Sequence, residues 1–419
     1  MKVCVVGLGY IGLPTASLLA AKGFNVYGVD INIDHVESIN RGQITIVEPD
    51  LDVLVRAAVQ SGKLTASIEP QAADVFIIAV PTPFKDGHAP DLSYLERAVM
   101  VIAPQLTTGN LILLESTIPI GTTEKVGGLI QSIRADLKLP QFKPWLSSRT
   151  NSVEQEGNIY LAHCPERVLP GQILKELIDN DRVVGGLDRA SGLKAKWFYE
   201  KFINGKVFIT DARTAELCKL SENAYRDVNI AFANELSMVC EEFTINVWEL
   251  IELTNRHPRV NILQPGPGVG GHCIAVDPWF IVHSSPDARL IRTAREVNDA
   301  KPERVLSKIR QKASRFIRPI IGCLGLAFKA DVGDMRESPA LRIVSQLVEE
   351  NVGNVLVVEP HADELPIALA GENVKLVDLE TAVIKADIIV LLVDHREFQE
   401  IDREVLKEKV VIDTRGLWR

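Results

Sequence analysis

The sequence predicts an α/β protein with two doubly wound parallel-sheet domains, joined by a long central helix and a helical middle domain. Three observations predict it. The chain opens with a strand, a glycine turn, a helix and a second strand between Lys2 and Asp30. The same order of apolar strands returns between residues 318 and 419. Between them, Thr214 to about Thr244 keeps an amphipathic pattern without Gly or Pro, which reads as one long helix. The expected division is 1–205, 206–315 and 316–419.

Size and charge narrow the partners. A chain of 419 residues has room for several cores, and 46% hydrophobic with 24% charged residues is ordinary for a soluble globular protein. A net charge of −9 argues against a general nucleic-acid or membrane-surface binder, while local cationic clusters still admit an anionic small molecule. The six cysteines are scattered and none stands in CxxC spacing, so no disulfide framework or zinc site is expected. The pairs His163-Cys164 and His272-Cys273 do not change this. Neighbours in a strand point to opposite faces, and no second pair completes a tetrahedral set, so no metal is expected. No signal peptide and no membrane-length apolar run is read, and a reducing cytoplasm is the expected compartment.

In chain order, Lys2–Val6 reads as a buried strand running into Gly7-Leu8-Gly9-Tyr10-Ile11-Gly12. A helix from about Leu13 to Lys22 is stopped by Gly23, and a second strand, Asn25–Val29, is closed by Asp30. Strand, GxGxxG, helix, strand and acid, in that order, form the context that a dinucleotide fingerprint requires, and they make this domain Rossmann-like. Gly7 permits the turn, Gly9 lets a pyrophosphate approach the backbone, and Gly12 lets helix pack on strand. The helix start offers N–H groups to the pyrophosphate. Asp30 suits ribose hydroxyls and repels a 2′-phosphate, which favours NAD over NADP. The candidate cofactor residues here are Gly7, Gly9, Tyr10, Ile11, Gly12 and Asp30.

Two further strands, Ala73–Val80 and Asn110–Leu114, end in Pro81-Thr82-Pro83 and Glu115-Ser116-Thr117. Ligands bind outside the carboxyl ends of such strands, so Thr82, Ser116 and Thr117 are either contact hydroxyls or turn residues. Thr122-Thr123-Glu124 after Gly121 reads as a helix N-cap. Leu139–Gly157 is polar and Pro-interrupted, an expected excursion. The strand Ile159–Cys164 then reaches Glu166-Arg167, either site residues or a surface ion pair.

On the long helix, Lys219, Asn223 and Arg226 stand at i, i+4 and i+7 and share a face with Ala215 and Ile230. The cationic loop Asn255-Arg256-His257-Pro258-Arg259 follows, then Gly266–Pro278, with four glycines and two prolines. Such a stretch is a loop. It presents the thiol of Cys273 and, four residues later, the carboxylate of Asp277. Alone it admits two readings, a tight turn over a buried thiol or a nucleophile. The last segment repeats the first domain's grammar at Ile320–Gly325, Asn354–Glu359 and Ala386–Val393. Its glycine turn is broken by Leu326-Ala327-Phe328-Lys329, which suits a different nucleotide ligand.

With these pieces assembled, the chain resembles the UDP-glucose/GDP-mannose dehydrogenase family over essentially its full length. GLGYIG, VPTP, ESTIPIGTTE, CPERVLPG, AELCKLSENAYRDVNIAFANE, GVGGHCIAVDP and GLAFKADVGDMRESPA carry the resemblance. NRHPRVNILQPGPGVGGHCIAVDPWF leans towards the branch acting on UDP-N-acetyl-D-mannosamine. The resemblance implies a four-electron oxidation of a sugar C6 alcohol to a carboxylate with two NAD in succession, serving surface polysaccharide such as enterobacterial common antigen. It makes Cys273 the nucleophile that carries a thiohemiacetal and then a thioester. Lys219 and Asn223 become oxyanion-stabilising groups, and Asp277 and Glu166 groups that position or activate the hydrolytic water. Thr82, Thr117 and Arg336 match cofactor contacts. Nucleotide-sugar contacts fall on Glu166, Arg167, Lys219, Asn223, Arg226, His257, Arg259, Gly270, Phe328, Lys329 and Arg415, within an expected homodimer. The same chemistry on UDP-N-acetylglucosamine, UDP-glucose or GDP-mannose, and a non-catalytic sensor of the same fold, are the alternatives.

Overall fold

A computed structural model describes residues 1–419 except 45, 47, 143, 145–157, 170 and 272. The expected excursion at Leu139–Gly157 therefore lies largely outside the described residues. The chain forms two compact units, Met1–Ser221 and Glu222–Arg419.

The first unit is built on strands β1 (Lys2–Val6), β2 (Asn25–Val29), β3 (Leu64–Ser67), β4 (Val75–Ile78), β5 (Leu111–Leu114), β6 (Tyr160–His163), β7 (Arg182–Gly186) and β8 (Val207–Asp211). Their order in the sheet is β3-β2-β1-β4-β5-β6-β7-β8. Only the β6–β7 pair is antiparallel among these pairings. The sequence runs outward from β1 in one direction and from β4 in the other, so a crevice opens between the carboxyl ends of these neighbours. Period-two alternation sorts the residues to the two faces. Val3, Val5 and Ile77 enter one core, while Cys4, Val6, Phe76 and Ile78 enter the other. Both faces are covered, which is why these strands read as unbroken apolar runs. Each fully buried Leu, Ile or Val contributes about 2 kcal/mol.

The first helix, Gly12–Ala21, is buried over nearly its whole length. It stops where the N–H of Gly23 donates to the Ala20 carbonyl at 3.0 Å, with Gly23 at φ 92°. One expected cap is corrected. The helix Thr122–Ile133 has Gly121 at its N-cap and no local side-chain cap. Its capping carboxylate is Glu216, which accepts from Gly121 N at 2.5 Å, Thr123 N at 2.7 Å and the Thr123 hydroxyl at 2.6 Å. Glu216 is buried, and burial pushes its carboxyl up from its ordinary value.

The long helix is real and spans Ala212–Glu242; residues 212–221 fall in the first unit and 222–242 in the second. The second unit continues through helices Val247–Thr254, Asp277–Ser284 and Arg289–Ala313. It then forms a parallel sheet of β9 (Ile320–Leu324), β10 (Asn354–Val358), β11 (Val374–Leu376), β12 (Ile388–Leu391) and β13 (Val410–Asp413). The order is β11-β10-β9-β12-β13, the same winding as the centre of the first sheet. The likeness reaches the hydrogen bonds. Gly7 N donates to Val29 O and Gly325 N to Val358 O, both at 2.8 Å, and both glycines have positive φ. No helix among the described residues is long and apolar enough to cross a membrane.

Candidate active site

At the β1–β4 crevice the fingerprint glycines differ in what surrounds them. A Cβ on Gly12 would stand 1.7 Å from the Gly7 carbonyl oxygen, so Gly12 is a packing requirement. A Cβ on Gly9 would meet nothing within 4 Å, so the space over Gly9 is open to a ligand. Tyr10 is half-exposed beside it, and no side chain caps the helix that begins after Ile11. An open backbone against an uncapped helix start suits a pyrophosphate. Asp30 Oδ2 accepts from Leu8 N and Oδ1 from Asn32 N, both at 3.0 Å, which fixes the carboxylate at the end of β2. Its remaining lone pairs suit ribose hydroxyls. The residues present thus fit NAD. Thr82 donates its hydroxyl to Thr117 O at 2.6 Å, tying together the chain beyond β4 and β5 at the same edge. Ser116 is buried and donates to Val80 O at 2.7 Å.

Beyond β5 and β6 lies a buried polar knot. Glu166 is buried, and its ion-pair partner is Arg182 at 2.7 Å; both side chains are less than a tenth exposed. Of the two readings of Glu166-Arg167, the surface ion pair is set aside because Glu166 is buried: Arg167 offers it its backbone N–H, and the Arg167 guanidinium donates to Asp181 O. Glu115 stands in the same knot, accepting from the Tyr199 hydroxyl at 2.8 Å. Burial, then the negative charge of Glu166, pushes the Glu115 carboxyl up to about 7. Cys164 is pushed up to about 12 by burial and is a packed thiol. His163 is held neutral, its pKa lowered to about 3 by burial, with Nδ1 against Leu114 O at 2.8 Å. The pair His163-Cys164 is therefore core, and His272 lies outside the described residues.

In the second unit, Cys273 is exposed, whereas Cys4, Cys164, Cys240 and Cys323 are buried. Cys273 O accepts from Val276 N at 3.0 Å and Asp277 N at 2.8 Å, so the thiol stands in the turn that starts the helix Asp277–Ser284. Asp277 is buried and accepts from Asn223 Nδ2 at 2.5 Å. This joins carboxylate and carboxamide directly, on the turn that also carries the thiol, all three being residues singled out in the sequence. The loop before Cys273 is close-packed. A Cβ on Gly270 would stand 2.5 Å from Glu337 O, and one on Gly271 3.0 Å from the Phe328 ring.

The loop's base is held by a polar ladder that the sequence reading missed. Asn234 Oδ1 accepts from Gly266 N at 2.9 Å, and Asn234 Nδ2 donates to Asn298 Oδ1 at 2.8 Å. Asn298 donates to the Asp227 carboxylate at 2.8 Å, which pairs with Arg295 at 2.6 Å. All four side chains are buried. On the long helix the buried polar stripe therefore runs through Glu216, Asn223, Asp227 and Asn234. Lys219 is half-buried beside it and Arg226 is exposed, so Arg226 stands outside the buried face. The one available signal was asparagines at helical spacing in an apolar stripe.

The remaining predicted contacts are scattered over the second unit. His257 and Arg259 are exposed in a loop clamped at its base by Asn255, whose side chain bonds both N–H and C=O of Ile262. Lys329 is exposed, and Arg336 makes a bidentate pair with Asp334. Arg415 donates to Asp394 at 2.8 Å and lies against Gly266. At the second crevice, Glu359 takes the place of Asp30 and accepts from Leu326 N at 2.7 Å and Ala327 N at 3.1 Å. Buried His395 bridges Glu359 and the N–H of Asp331. Asp331, His361, His395 and Glu397 place ligand-type atoms within 4.8 Å of one another. Both nitrogens of His395 are already engaged and Asp331 pairs with Arg396, so the group is a hydrogen-bonded knot.

Comparison with known proteins adds to this geometry. The NAD binding domain of the UDP-glucose/GDP-mannose dehydrogenase family matches residues 1–203. The central domain of that family matches 213–300 and its UDP binding domain 322–419. The NDP-N-acetyl-D-galactosaminuronic acid dehydrogenase of Ralstonia nicotianae is 58% identical over 99% of this chain and 96% of its own. The UDP-N-acetyl-D-mannosamine dehydrogenase of Escherichia coli is 50% identical, over 100% of this chain and 99% of its own. Among solved structures, the UDP-N-acetyl-mannosamine dehydrogenase Cap5O from Staphylococcus aureus matches with a TM-score of 0.84 at 42% identity, covering 100% of this chain and 95% of that one.

Proposed function

The chain belongs to the UDP-glucose/GDP-mannose dehydrogenase family and is an NAD-dependent nucleotide-sugar dehydrogenase, and from that premise we propose that it oxidises the C6 alcohol of UDP-N-acetyl-D-mannosamine to the carboxylate through a thioester on Cys273. The observation that carries this reading is an exposed thiol on a close-packed glycine loop, backed by the Asp277–Asn223 hydrogen bond.

NAD, when bound, supplies the hydride acceptor. Gly9, the uncapped start of helix Gly12–Ala21 and Asp30 would hold it, with Thr82, Thr117 and Arg336 as further contacts. The first oxidation removes a hydride from C6 and a proton from the alcohol, giving the aldehyde. The Cys273 thiolate adds to the aldehyde carbon, and the alkoxide formed takes a proton, giving a thiohemiacetal. Loss of the second hydride and of the hydroxyl proton leaves the thioester. Water then breaks the C–S bond, releasing carboxylate and thiol. Lys219 and Asn223 stabilise the oxyanions, and Asp277 and Glu166 position the water. The division 1–205, 206–315 and 316–419 assigns NAD binding, the thiol loop and nucleotide-sugar binding in turn. Arg167, Arg226, His257, Arg259, Gly270, Phe328, Lys329 and Arg415 are proposed to contact the nucleotide sugar. A cytoplasmic site of action goes with the unpaired thiols of Cys4, Cys164, Cys240 and Cys323.

A second reading of the sugar is favoured by the Ralstonia relative, whose name points to the galacto configuration. Both readings share a 2-acetamido group. A panel of UDP- and GDP-sugars assayed for NADH release decides between them. Two NADH per acid and loss of acid formation in Cys273→Ala, with NAD affinity retained, are expected; kcat should fall at least about a thousand-fold. One NADH per sugar, or unchanged kcat in that variant, overturns the thioester route. No turnover of any sugar favours a sensor.

A further inference from the structure

One cavity of the second unit has no part in the reaction above. It measures about 200 Å3, and Lys301 is its most buried cation. Lys301 is 5% exposed on the helix Arg289–Ala313, and its ammonium donates to the Ser237 hydroxyl, a neutral acceptor. An ammonium has three donors, so this partner leaves the charge unmatched. Burial pushes its pKa down to about 8, and Arg304 and Lys308 push the same way against the opposing charge of Glu241.

The surrounding charges do not neutralise it. Glu241 is shared, lying 3.0 Å from Lys308 and 3.5 Å from Arg304. Asp413 also lines the cavity, but its oxygens accept backbone N–H groups of Arg415, Gly416 and Trp418. Arg304 and Lys308 follow Lys301 by three and seven residues, which puts all three cations on one stripe of the helix. Both are roughly half exposed. The first turn of the helix Val247–Thr254 lines the cavity too, adding the positive end of its dipole. This cationic pocket sits in a chain of net charge −9.

We infer that the cavity is a binding site for a small oxyanion, a phosphate group either free or on a small metabolite, held by Lys301 within and by Arg304 and Lys308 at its mouth. Pro265 and Gly266 line the same cavity, so an occupant bears on the base of the loop that carries Cys273. The anion supplies the missing counter-charge and stabilises the charged form of Lys301. Binding therefore takes up a proton near and above pH 8 and weakens as pH rises through it.

The test is calorimetric titration of the whole chain with inorganic phosphate at constant ionic strength, with and without saturating UDP. One phosphate per chain, indifferent to UDP, is expected. Lys301→Met should weaken it at least tenfold, and the double variant Arg304→Gln/Lys308→Gln severalfold. Sulfate, which does not titrate here, should bind less tightly at about pH 9 than at about pH 7. Tighter binding of glycerol 3-phosphate than of inorganic phosphate identifies an esterified ligand, and the reverse order the free ion. Absence of saturable binding overturns the site, as does displacement by UDP. Affinity unchanged in Lys301→Met means an adventitious ion only. If Lys301→Met does not fold, unchanged affinity in the double variant of the exposed mouth residues overturns the site.

Discussion

At the scale of single residues, burial sorts chemically similar side chains into different tasks. Four of the six cysteines are packed, and Cys4, Cys164 and Cys323 are each pushed up to about 12, which withdraws them from nucleophilic chemistry. Carboxylates divide likewise. Glu166 is matched by Arg182, whereas Glu115, buried beside them, is lifted from an ordinary 4.5 to about 7. A carboxyl with a raised folded pKa binds its proton more tightly in the fold. Its stabilisation is full below about 4.5 and is lost as pH rises through about 7. Glu115→Gln is expected to leave thermal stability near pH 4 almost unchanged and to raise the midpoint by a few degrees at about pH 8, as calorimetric scans across pH would show. A parallel loss of stability with pH in both proteins would contradict this.

At the scale of elements, local grammar was readable and long-range pairing was not. The fingerprint turn, its helix, the Gly23 stop and the long helix follow from glycine placement and apolar period, properties carried by neighbouring residues. Glu216 with Thr123, Glu166 with Arg182 and Asp227 with Arg295 join positions 93, 16 and 68 residues apart. A sequence displays those charges without saying which faces meet. Spacing alone likewise put Arg226 beside Lys219 and Asn223, but the edge of burial falls before it and leaves Asp227 inside. The ladder Asp227–Asn298–Asn234–Gly266 matters for rate because it fixes the thiol loop's base. Asn234→Ala should leave Gly266 N without its acceptor and lower kcat/KM by about a hundredfold, with NAD affinity unchanged. Asn234→Asp keeps the acceptor and should retain more activity. Equal losses in both variants would indicate simple destabilisation.

At the scale of the whole molecule, two copies of one winding carry different crevices. In the first copy the space over Gly9 is open; in the second, Glu359 and His395 hold the corresponding turn. The exposed face of the long helix carries Leu217, Tyr225, Phe232 and Val239 at spacings of seven or eight, with exposed Phe243 one residue past its end, a seam rather than scattered apolar residues. We propose that this seam is the interface of the homodimer expected from the family resemblance. Phe232→Glu, which places a charge in its middle, should shift the chain to monomer in light scattering; an unchanged mass would move the interface elsewhere. The carboxylate of Glu216 has a bearing on dissection of the chain. Its three hydrogen bonds cap a helix of the dinucleotide fold, yet it lies beyond both residue 203, where the family's NAD-binding region ends, and the boundary read at residue 205. A fragment cut at 211, which keeps β8, should melt below one cut at 221, because only the longer piece brings its own cap. The compact unit thus ends later in the chain than the family's NAD-binding region.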